Sequence, residues 1–319
     1  MSSCGRAAYQ GVERVTPITQ AGSDRVYSRV ERPDGSTYIH VEGTNRTENH
    51  AFIVMSRHFS ALGLPTPHLY AVAEDEMSYD QEDLGTITLF DHLDRIDWLE
   101  ATMRGLREMH DRAIEGFDFS ICYPVPSLDR RSIFWDLNYF KYCFLKLSSS
   151  VPSSPVGAID IDEPALEDDF CRLADTLLSR SLDVLMLRDC QSRNVMIRDD
   201  KPYFIDYQGG RRGVREYDLA SFLWQARAGF TNDLRQHLLD IYYEGLPDSA
   251  ERRTNYLPHV VLFRTLQVLG AYGFRGLIER REHFLQSIPQ ALTNLRELFD
   301  TYPFLQTTYP YVNRIRHLL

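Results

Sequence analysis

The stretch Leu187-Arg188-Asp189-Cys190-Gln191-Ser192-Arg193-Asn194, followed by Tyr203-Phe204-Ile205-Asp206, decides how this chain is interpreted. It places an aspartate, an asparagine and a second aspartate on loops around two short apolar strands. Taken singly, each of these polar residues is explained as a cap of a turn or strand. Phosphoryl transfer needs one carboxylate to orient the attacking hydroxyl and oxygen ligands to hold Mg²⁺ on the nucleotide phosphates. Together and in this order, the three residues predict such a site.

The residues before this stretch begin with a β-rich region that contains one helix. Asn45 and Glu48 have the spacing of a helix cap and its N3 acid, and Gly63 with Pro65 ends the helical periodicity. Short β-prone runs, separated by Gly, Pro, Asp and Ser, occur at residues 15–19, 25–30, 37–42, 68–72 and 77–81. The predicted order is three strands, one helix and two strands.

After residue 85 the pattern becomes helical. Apolar residues recur at helical spacing from Leu99 to Ala113 and from Ile133 to Leu147. Residues 148–154 are serine-rich and predict a surface loop. Short strands are expected at 184–187, 194–197 and 203–205, and helices from 217 to 316. We read Gly209 to Gly213 as a loop beyond Asp206.

The composition excludes several classes of protein. The 319 residues are 43% hydrophobic and 25% charged, which indicates a globular chain too long for one small core. A net charge of −10 argues against a nucleic-acid-binding surface. The five cysteines include no C-x-x-C pair, which argues against a zinc ribbon or a disulfide framework and predicts a cytoplasmic setting. No stretch approaches 18 apolar residues, so we predict no membrane association.

The quoted motifs resemble the aminoglycoside phosphotransferase and choline kinase branch of the protein-kinase-like fold. The resemblance covers most of the chain and includes the hinge-like stretch 81–85 and Tyr217-Asp218-Leu219-Ala220. It implies an α+β, two-lobed fold, with a small β-rich nucleotide-binding lobe at 1–84 and a larger, mainly helical catalytic and substrate-binding lobe at 85–319. ATP and Mg²⁺ would lie between the lobes.

The resemblance also implies roles for individual residues. Asp189 is expected to be the catalytic base, and Asn194 and Asp206 the Mg²⁺ ligands. Adenine is expected to meet the backbone of the hinge, and two further residues are expected to be structural neighbours of the site. The hinge residues are Glu82, Asp83 and Leu84, and the structural neighbours are Arg188 and Asp218.

Two departures from the family pattern change the expected site. Leu187 stands where the family has a histidine before the catalytic aspartate, which predicts that apolar packing holds this loop. The third strand, residues 37–42, contains no lysine for the nucleotide phosphates. Another cation must therefore bind them.

Two arginines are candidates for that cation. The segment Gly22-Ser23-Asp24-Arg25-Val26-Tyr27-Ser28-Arg29 resembles the G-S-x-R-x-Y-x-R nucleotide loop of anomeric kinases that act on N-acetylmuramate or N-acetylglucosamine. A guanidinium binds phosphate oxygens in pairs and stays charged. We predict that Arg29, paired with Glu48, takes the lysine's role, with Arg25 second. The alternative is that both are solvated strand residues.

The acceptor side is predicted from weaker patterns. The segment 264–275 resembles the R-x-L-x-V-L-G segment of the same sugar kinases, and a carboxylate near aromatic rings on the helix around 135–142 suits sugar recognition. A solvated helix face explains the second pattern equally well. The candidate acceptor-binding residues are Asp136, Tyr139, Gln208, Arg264, Gln267 and Tyr272. Gln225 and Arg227 are better explained as a cap or surface groups.

The sequence thus predicts an ATP-dependent kinase that phosphorylates the anomeric hydroxyl of an N-acetylhexosamine or N-acetylmuramate. The first alternative is an aminoglycoside or amino-alcohol kinase, whose cationic acceptor would need acidic residues such as those at 158–169. The second alternative is a nucleotide-binding pseudokinase, which the missing lysine and Leu187 favour and the retained Asp189, Asn194 and Asp206 oppose. The oligomeric state is not fixed by these patterns.

Overall fold

A computed structural model describes residues 14–18, 25–147 and 160–317. Gly22 and Ser23 of the predicted nucleotide loop lie outside these residues, as does the predicted loop at 148–154. Among the residues described, no helix is long and apolar enough to cross a membrane.

The first part of the chain folds into one antiparallel sheet with a helix against it. The sheet order is β1-β2-β3-β5-β4. Asn45 accepts a hydrogen bond from the backbone N–H of Glu48 at 3.2 Å, which confirms the predicted cap. The elements are β1 Arg14–Ile18, β2 Val26–Glu31, β3 Thr37–Glu42, α1 Arg46–Ala61, β4 Leu69–Val72 and β5 Ser78–Glu82.

The register of this sheet fixes which side chains face the same way. Arg29 lies opposite Ile39, and Ile39 lies opposite Gln81. Because side chains alternate along a strand, these three residues share one face, and that face lines the cleft described below. On α1, Phe52 stacks on Tyr79 with ring centroids 4.8 Å apart, which anchors the helix to the sheet.

The second part of the chain is mainly helical, and β6 to β9 lie between its helices. The first helices are α2 Ile96–Arg112, α3 Arg130–Tyr139 and α4 Glu163–Leu177, with a π-helix at Phe140–Lys146. The strands are β6 Val184–Met186, β7 Val195–Arg198, β8 Lys201–Phe204 and β9 Arg211–Gly213. The later helices are α5 Arg215–Leu223, α6 Asn232–Tyr243, α7 Ser249–Glu251, α8 Leu257–Tyr272, α9 Glu282–Leu285, α10 Ile288–Thr301, α11 Phe304–Thr308 and α12 Pro310–Ile315.

Helix α8 forms the centre of the helical part. Nearly all of its residues from Leu257 to Gly270 are buried, including the polar His259, Arg264 and Thr265, and most of the others are apolar. Gly270 allows the helix to approach the chain around Phe140, because a Cβ there would lie 2.7 Å from the Phe140 backbone nitrogen. This close contact fixes the helix that provides one wall of the cleft.

One predicted loop is instead a strand. Arg211–Gly213 pairs antiparallel with Val184–Met186, so the interpretation of Gly209 to Gly213 as a loop is wrong for its second half. The Arg211 side chain is buried, and burial, followed by the nearby charge of Arg188, lowers its pKa to about 10. An arginine in a glycine-rich segment gives no local sign of burial, which explains the error.

Together these elements form the α+β, two-lobed, protein-kinase-like fold predicted from the motifs.

Candidate active site

A cleft of about 1040 Å³ lies between the sheet and the helical part of the chain. The sheet face of Arg29, Ile39 and Gln81 forms one wall. The segment that follows β5 forms the back, and the loops around Asp189 and Asp206 form the floor. The far end is lined by side chains of α8 and of the residues that follow it.

The loop before Asn194 presents Asp189 to the cleft. Arg188 has a positive φ of 71°, and the N–H of Asp189 donates to the Leu187 carbonyl at 2.9 Å. The Asn194 side-chain amide donates to the Asp189 carbonyl at 2.9 Å, which closes the loop. The Asp189 side chain remains 46% exposed. A carboxylate held on a fixed backbone and open to the cleft can accept a proton from a bound hydroxyl.

Asp218 braces this loop from below. Its carboxylate accepts hydrogen bonds from the N–H groups of Leu187 and Arg188 at 2.6 and 2.8 Å. The buried His110 contacts the same carboxylate through Nε2 at 2.9 Å and the Tyr242 hydroxyl through Nδ1 at 2.6 Å. Leu187 is buried, as expected, but backbone hydrogen bonds to Asp218 also hold it. His110 therefore links the catalytic loop to the buried core of the helical part.

Asn194 and Asp206 lie side by side. The Asn194 amide nitrogen donates to Asp206 Oδ2 at 3.1 Å, and Gln208 donates to Oδ1 at 3.0 Å. Burial raises the pKa of Asp206, and the charge of Asp189 raises it further. A divalent cation would offset this accumulation of negative charge, and carboxylate and amide oxygens are ligands that suit Mg²⁺. The residues present therefore fit a magnesium ion held by Asp206 and Asn194.

The two arginines of the nucleotide side have the opposite arrangement from the prediction. Arg29 does not pair with Glu48, because it forms a two-pronged contact with Asp83 at 2.6 and 2.9 Å and donates to the Gly85 carbonyl at 2.8 Å. Arg25 is the residue that faces Glu48, at 3.6 Å, with its side chain only 5% exposed. The predicted pairing is thus wrong, and Arg25 has the buried, acid-paired position expected of a substitute for the lysine.

The hinge-like segment connects the two parts of the chain. Glu82 accepts a hydrogen bond from Arg198 on β7 at 2.6 Å, and its backbone N–H donates to the His68 carbonyl at 2.8 Å. Leu84 is buried and lines the cleft, and within the described part of the chain its peptide groups have no hydrogen-bond partner. Free peptide groups beside an apolar side chain suit the edge of a flat, nitrogen-rich ring such as adenine.

Two predicted acceptor contacts lie outside the cleft. Asp136 pairs with Arg188 at 3.2 Å and is largely buried, so it supports the catalytic loop from behind. Tyr139 lies against Phe274 with ring centroids 6.0 Å apart, and burial raises its pKa to about 12. Neither residue lines the cleft, so direct contact with an acceptor, which the sequence predicted for both, is not available to them in this structure.

The other predicted acceptor residues do line the cleft. Arg264 is buried, donates to Ser221 at 2.5 Å and to Gln267, and lies 3.9 Å from Asp189. Tyr272 lines the same wall of the cleft. Gln208, next to Asp206, is the sixth predicted acceptor residue and also lines the cleft.

Several lining residues were missed or set aside. Arg193, Arg275 and His283 lie at the acceptor end, as does Arg227, which the sequence favoured as a surface group. They come from four separate segments, so no local motif connects them. Gln225 acts as the predicted structural group, because its side-chain oxygen accepts hydrogen bonds from the Ser192 N–H and hydroxyl.

Solved kinase structures are similar to this chain in fold. Plasmodium vivax ethanolamine kinase is 14% identical, with a TM-score of 0.64 over 92% of this chain and 84% of that chain. A choline/ethanolamine kinase family protein from Mesorhizobium loti is 13% identical, with a TM-score of 0.62 over 96% of this chain and 94% of that chain. An amicoumacin kinase in complex with AMP-PNP, Ca²⁺ and Ami is 14% identical, with a TM-score of 0.64 over 91% and 89%.

A family model settles what these fold similarities leave open. No curated protein sequence matches the chain. The model of the phosphotransferase enzyme family, APH, matches residues 14–253, which is well over half of the chain. The protein therefore belongs to the phosphotransferase enzyme family, whose members use ATP with a divalent metal ion.

Proposed function

We propose that this phosphotransferase is an ATP- and Mg²⁺-dependent sugar kinase. Its acceptor would be the anomeric hydroxyl of an N-acetylated amino sugar, an N-acetylhexosamine or N-acetylmuramate, and its product the sugar 1-phosphate. A cytoplasmic setting and a lobe boundary between residues 84 and 85 belong to the same proposal.

One observation carries this choice over the alternatives: the acceptor end of the cleft is lined by guanidinium, amide and aromatic groups. Among the described lining residues from 220 to 287 there is no carboxylate. Trp224 and Tyr272 offer flat apolar surfaces for a sugar ring, and Gln267 offers an amide for hydroxyl or acetamido groups. The resemblance of residues 22–29 and 264–275 to anomeric sugar kinases supports the same acceptor.

The proposed reaction uses groups that the structure brings together. The acceptor hydroxyl gives its proton to Asp189 as its oxygen bonds to the γ-phosphorus, and the bond from that phosphorus to the bridging oxygen of ADP breaks. Arg264, 3.9 Å from Asp189, holds that carboxylate toward the acceptor. Mg²⁺ held by Asn194 and Asp206 would neutralise charge on the phosphates. Arg25 would bind the non-transferred phosphates.

A kinase for aminoglycosides or amino alcohols is less well supported. Its cationic acceptor needs acidic side chains in the cleft, and the acidic candidates, which lie within the described residues 160–169, do not line it. Glu163 and Glu167 pair with Lys141 at 3.0 and 2.7 Å, and Asp169 accepts hydrogen bonds from the N–H groups of Tyr311 and Val312. These acids stabilise the helical part of the chain.

The test is ADP release with Mg²⁺-ATP across N-acetylglucosamine, N-acetylgalactosamine, N-acetylmuramic acid, kanamycin and choline, with phosphorus NMR of any product. An anomeric phosphate that disappears in Asp189→Asn supports the proposal. Turnover of kanamycin or choline alone would replace it with the cationic-acceptor kinase. Stabilisation by ATP with no turnover of any acceptor would favour the pseudokinase.

A further inference from the structure

Positive charge is concentrated at the acceptor end of the cleft, although the chain as a whole has a net charge of −10. Four arginines line this end, and no carboxylate is found among the described lining residues from 220 to 287. The four are Arg193, Arg227, Arg264 and Arg275. Like charges gathered in one concave site repel each other unless a negative group compensates them.

The four arginines differ in the contacts that their guanidinium groups make within the protein. Arg264, on α8, already contacts Ser221, Gln267 and Asp189, so its guanidinium supports the catalytic loop. Among the described residues, Arg275 has one carboxylate partner, Glu279 at 3.7 Å, and Glu279 makes a shorter ion pair of 2.8 Å with Arg281. The Arg275 guanidinium also lies over the Phe284 ring, 5.8 Å from its centroid.

Arg193 and Arg227 have no carboxylate partner among the residues that the structure describes, and both are exposed. Arg227 lies over the ring of Phe90, 5.1 Å from its centroid, which holds the guanidinium at the edge of the cleft. Arg193 immediately precedes Asn194, the predicted metal ligand, and lines the same cleft.

His283 shows that these charges converge on one place. Its Nε2 atom is buried and has no hydrogen-bond partner within the described residues. The His283 ring lies against the Phe284 ring, with centroids 4.2 Å apart, and Arg275 lies over that same Phe284 ring. Burial lowers the pKa of His283, and the charges of Arg227, Arg193, Arg281 and Arg275 lower it further. A ligand group placed among them would meet several N–H donors and one unsatisfied ring nitrogen.

We propose that the acceptor bears an anionic substituent, a carboxylate or a phosphate, that binds between Arg227 and Arg275, with Arg193 on the side of the reaction centre. This inference rests on the proposed function, because it names the class of acceptor that the same site would phosphorylate. It distinguishes acceptors that share one hexosamine ring: the acidic sugar is the substrate, and its neutral counterpart is a poor one.

The first experiment compares three acceptors on the full chain with Mg²⁺-ATP: N-acetylmuramic acid, N-acetylglucosamine 6-phosphate and N-acetylglucosamine. A charge-assisted contact predicts that kcat/KM for one of the two anionic sugars exceeds that of the neutral sugar about ten- to a hundredfold. The two anionic arms distinguish a carboxylate from a phosphate. Equal or higher kcat/KM for the neutral sugar would overturn the inference while leaving the proposed function in place.

The second experiment assigns the effect to the arginines. Arg227→Ala and Arg275→Ala should each raise KM for the anionic sugar about tenfold. The preference for the anionic over the neutral sugar, measured as the ratio of their kcat/KM values, should fall by about the same factor in each variant. Arg314→Ala, which removes an exposed arginine of α12 outside the cleft, is the matched control and should change nothing. A loss of ATP affinity in Arg227→Ala would overturn the inference, because the arginine would then serve the nucleotide.

If no acceptor is turned over, calorimetry can still separate the two proposals. It measures the binding of each anionic sugar to the complex of the protein with Mg²⁺-AMP-PNP. Binding of an anionic sugar that weakens in Arg227→Ala and not in Arg314→Ala would support the anionic site and contradict the sugar-kinase proposal. Absence of binding by either anionic sugar would overturn the anionic site. Turnover of kanamycin or choline alone would overturn both proposals.

Discussion

At the nucleotide end of the cleft, the arginines are paired with acids of the protein, whereas at the acceptor end Arg193 and Arg227 have no carboxylate partner among the described residues. Arg25 lies against Glu48 and Arg29 holds Asp83, so this end is ordered before any ligand is present. Arg227, at the other end, has an aromatic ring beneath it and no acid within the described residues. The difference indicates that the nucleotide end is preorganised by the chain and that the acceptor end is completed by its ligand.

The largest expected effect lies at Asp189, where the two ends meet. Asp189→Asn keeps the size of the side chain and removes its ability to accept the proton, so kcat should fall about 10²- to 10⁴-fold. The KM for ATP should change little, because Asn194 and Asp206 remain. Steady-state kinetics with the best acceptor measures both constants. A kcat within threefold of the unmodified enzyme would contradict the role of Asp189 as base.

The two arginines of the nucleotide end should differ in the constant that they affect. Arg25→Ala removes the buried cation opposite Glu48, and we expect the KM for ATP to rise about tenfold or more with a lower kcat. Arg29→Ala removes the partly exposed ion pair with Asp83. We expect a loss of about 1 kcal/mol of unfolding free energy and a smaller change in ATP kinetics than for Arg25→Ala.

ATP titrations and urea unfolding of both variants test this contrast, and Arg25→Lys should recover part of the lost affinity. If Arg29→Ala had the larger effect on the KM for ATP, the comparison would reverse. The original prediction for Arg29 would then be correct in spite of its contact with Asp83.

A smaller effect is expected behind the catalytic loop. Asp136→Asn removes the countercharge of the partly buried Arg188, and we expect a loss of about 2 kcal/mol in unfolding free energy. Because Arg188 precedes Asp189, kcat should fall while the KM for the acceptor stays unchanged. Asp175→Asn, which breaks an exposed ion pair with Arg130, is the control and should cost less than about 0.5 kcal/mol. An acceptor KM that rises with Asp136→Asn would return Asp136 to the binding site.

Local patterns explain why the reaction centre could be predicted from the sequence. Asp189 and Asn194 lie within one loop, and Asp206 follows a short hairpin whose turn at Asp199 and Asp200 has the positive φ angles that such a turn needs. The cap at Asn45 depends on residues three positions apart. In each case the chain itself brings the groups together, so spacing along the sequence is enough.

The errors concern contacts between distant segments. Arg25 and Arg29 are four residues apart, so they point to the same face of one extended segment, and the spacing alone does not say which of them meets Glu48. Which arginine meets Glu48 depends on where the first turn of α1, which contains Glu48, packs relative to the strand. The pattern around Asp136 predicted an acceptor contact or a solvated helix face, and neither interpretation gave it a partner within the protein. In the structure its partner is Arg188, which lies on another segment.

The smallest effect is expected on the face of the sheet opposite the cleft. His40 lies next to Ile39 on β3, so it points away from the cleft, and its Nδ1 contacts Asp80 on β5 at 2.7 Å. The hydrogen bond with Asp80 is the main cause of a raised pKa for His40. A raised histidine pKa stabilises the fold below the unfolded-state value, about 6.5, and the stabilisation is lost as the pH rises through the folded-state value.

His40→Gln should therefore lower the unfolding free energy by less than about 1 kcal/mol near pH 5.5, since the pair is partly exposed, and by almost nothing at pH 9. Urea unfolding at the two pH values measures this difference. The kinetics for ATP and acceptor should stay the same, because neither end of the cleft includes His40. Equal destabilisation at both pH values would show that the pair acts through packing, and altered kinetics would show that the two faces of the sheet are coupled.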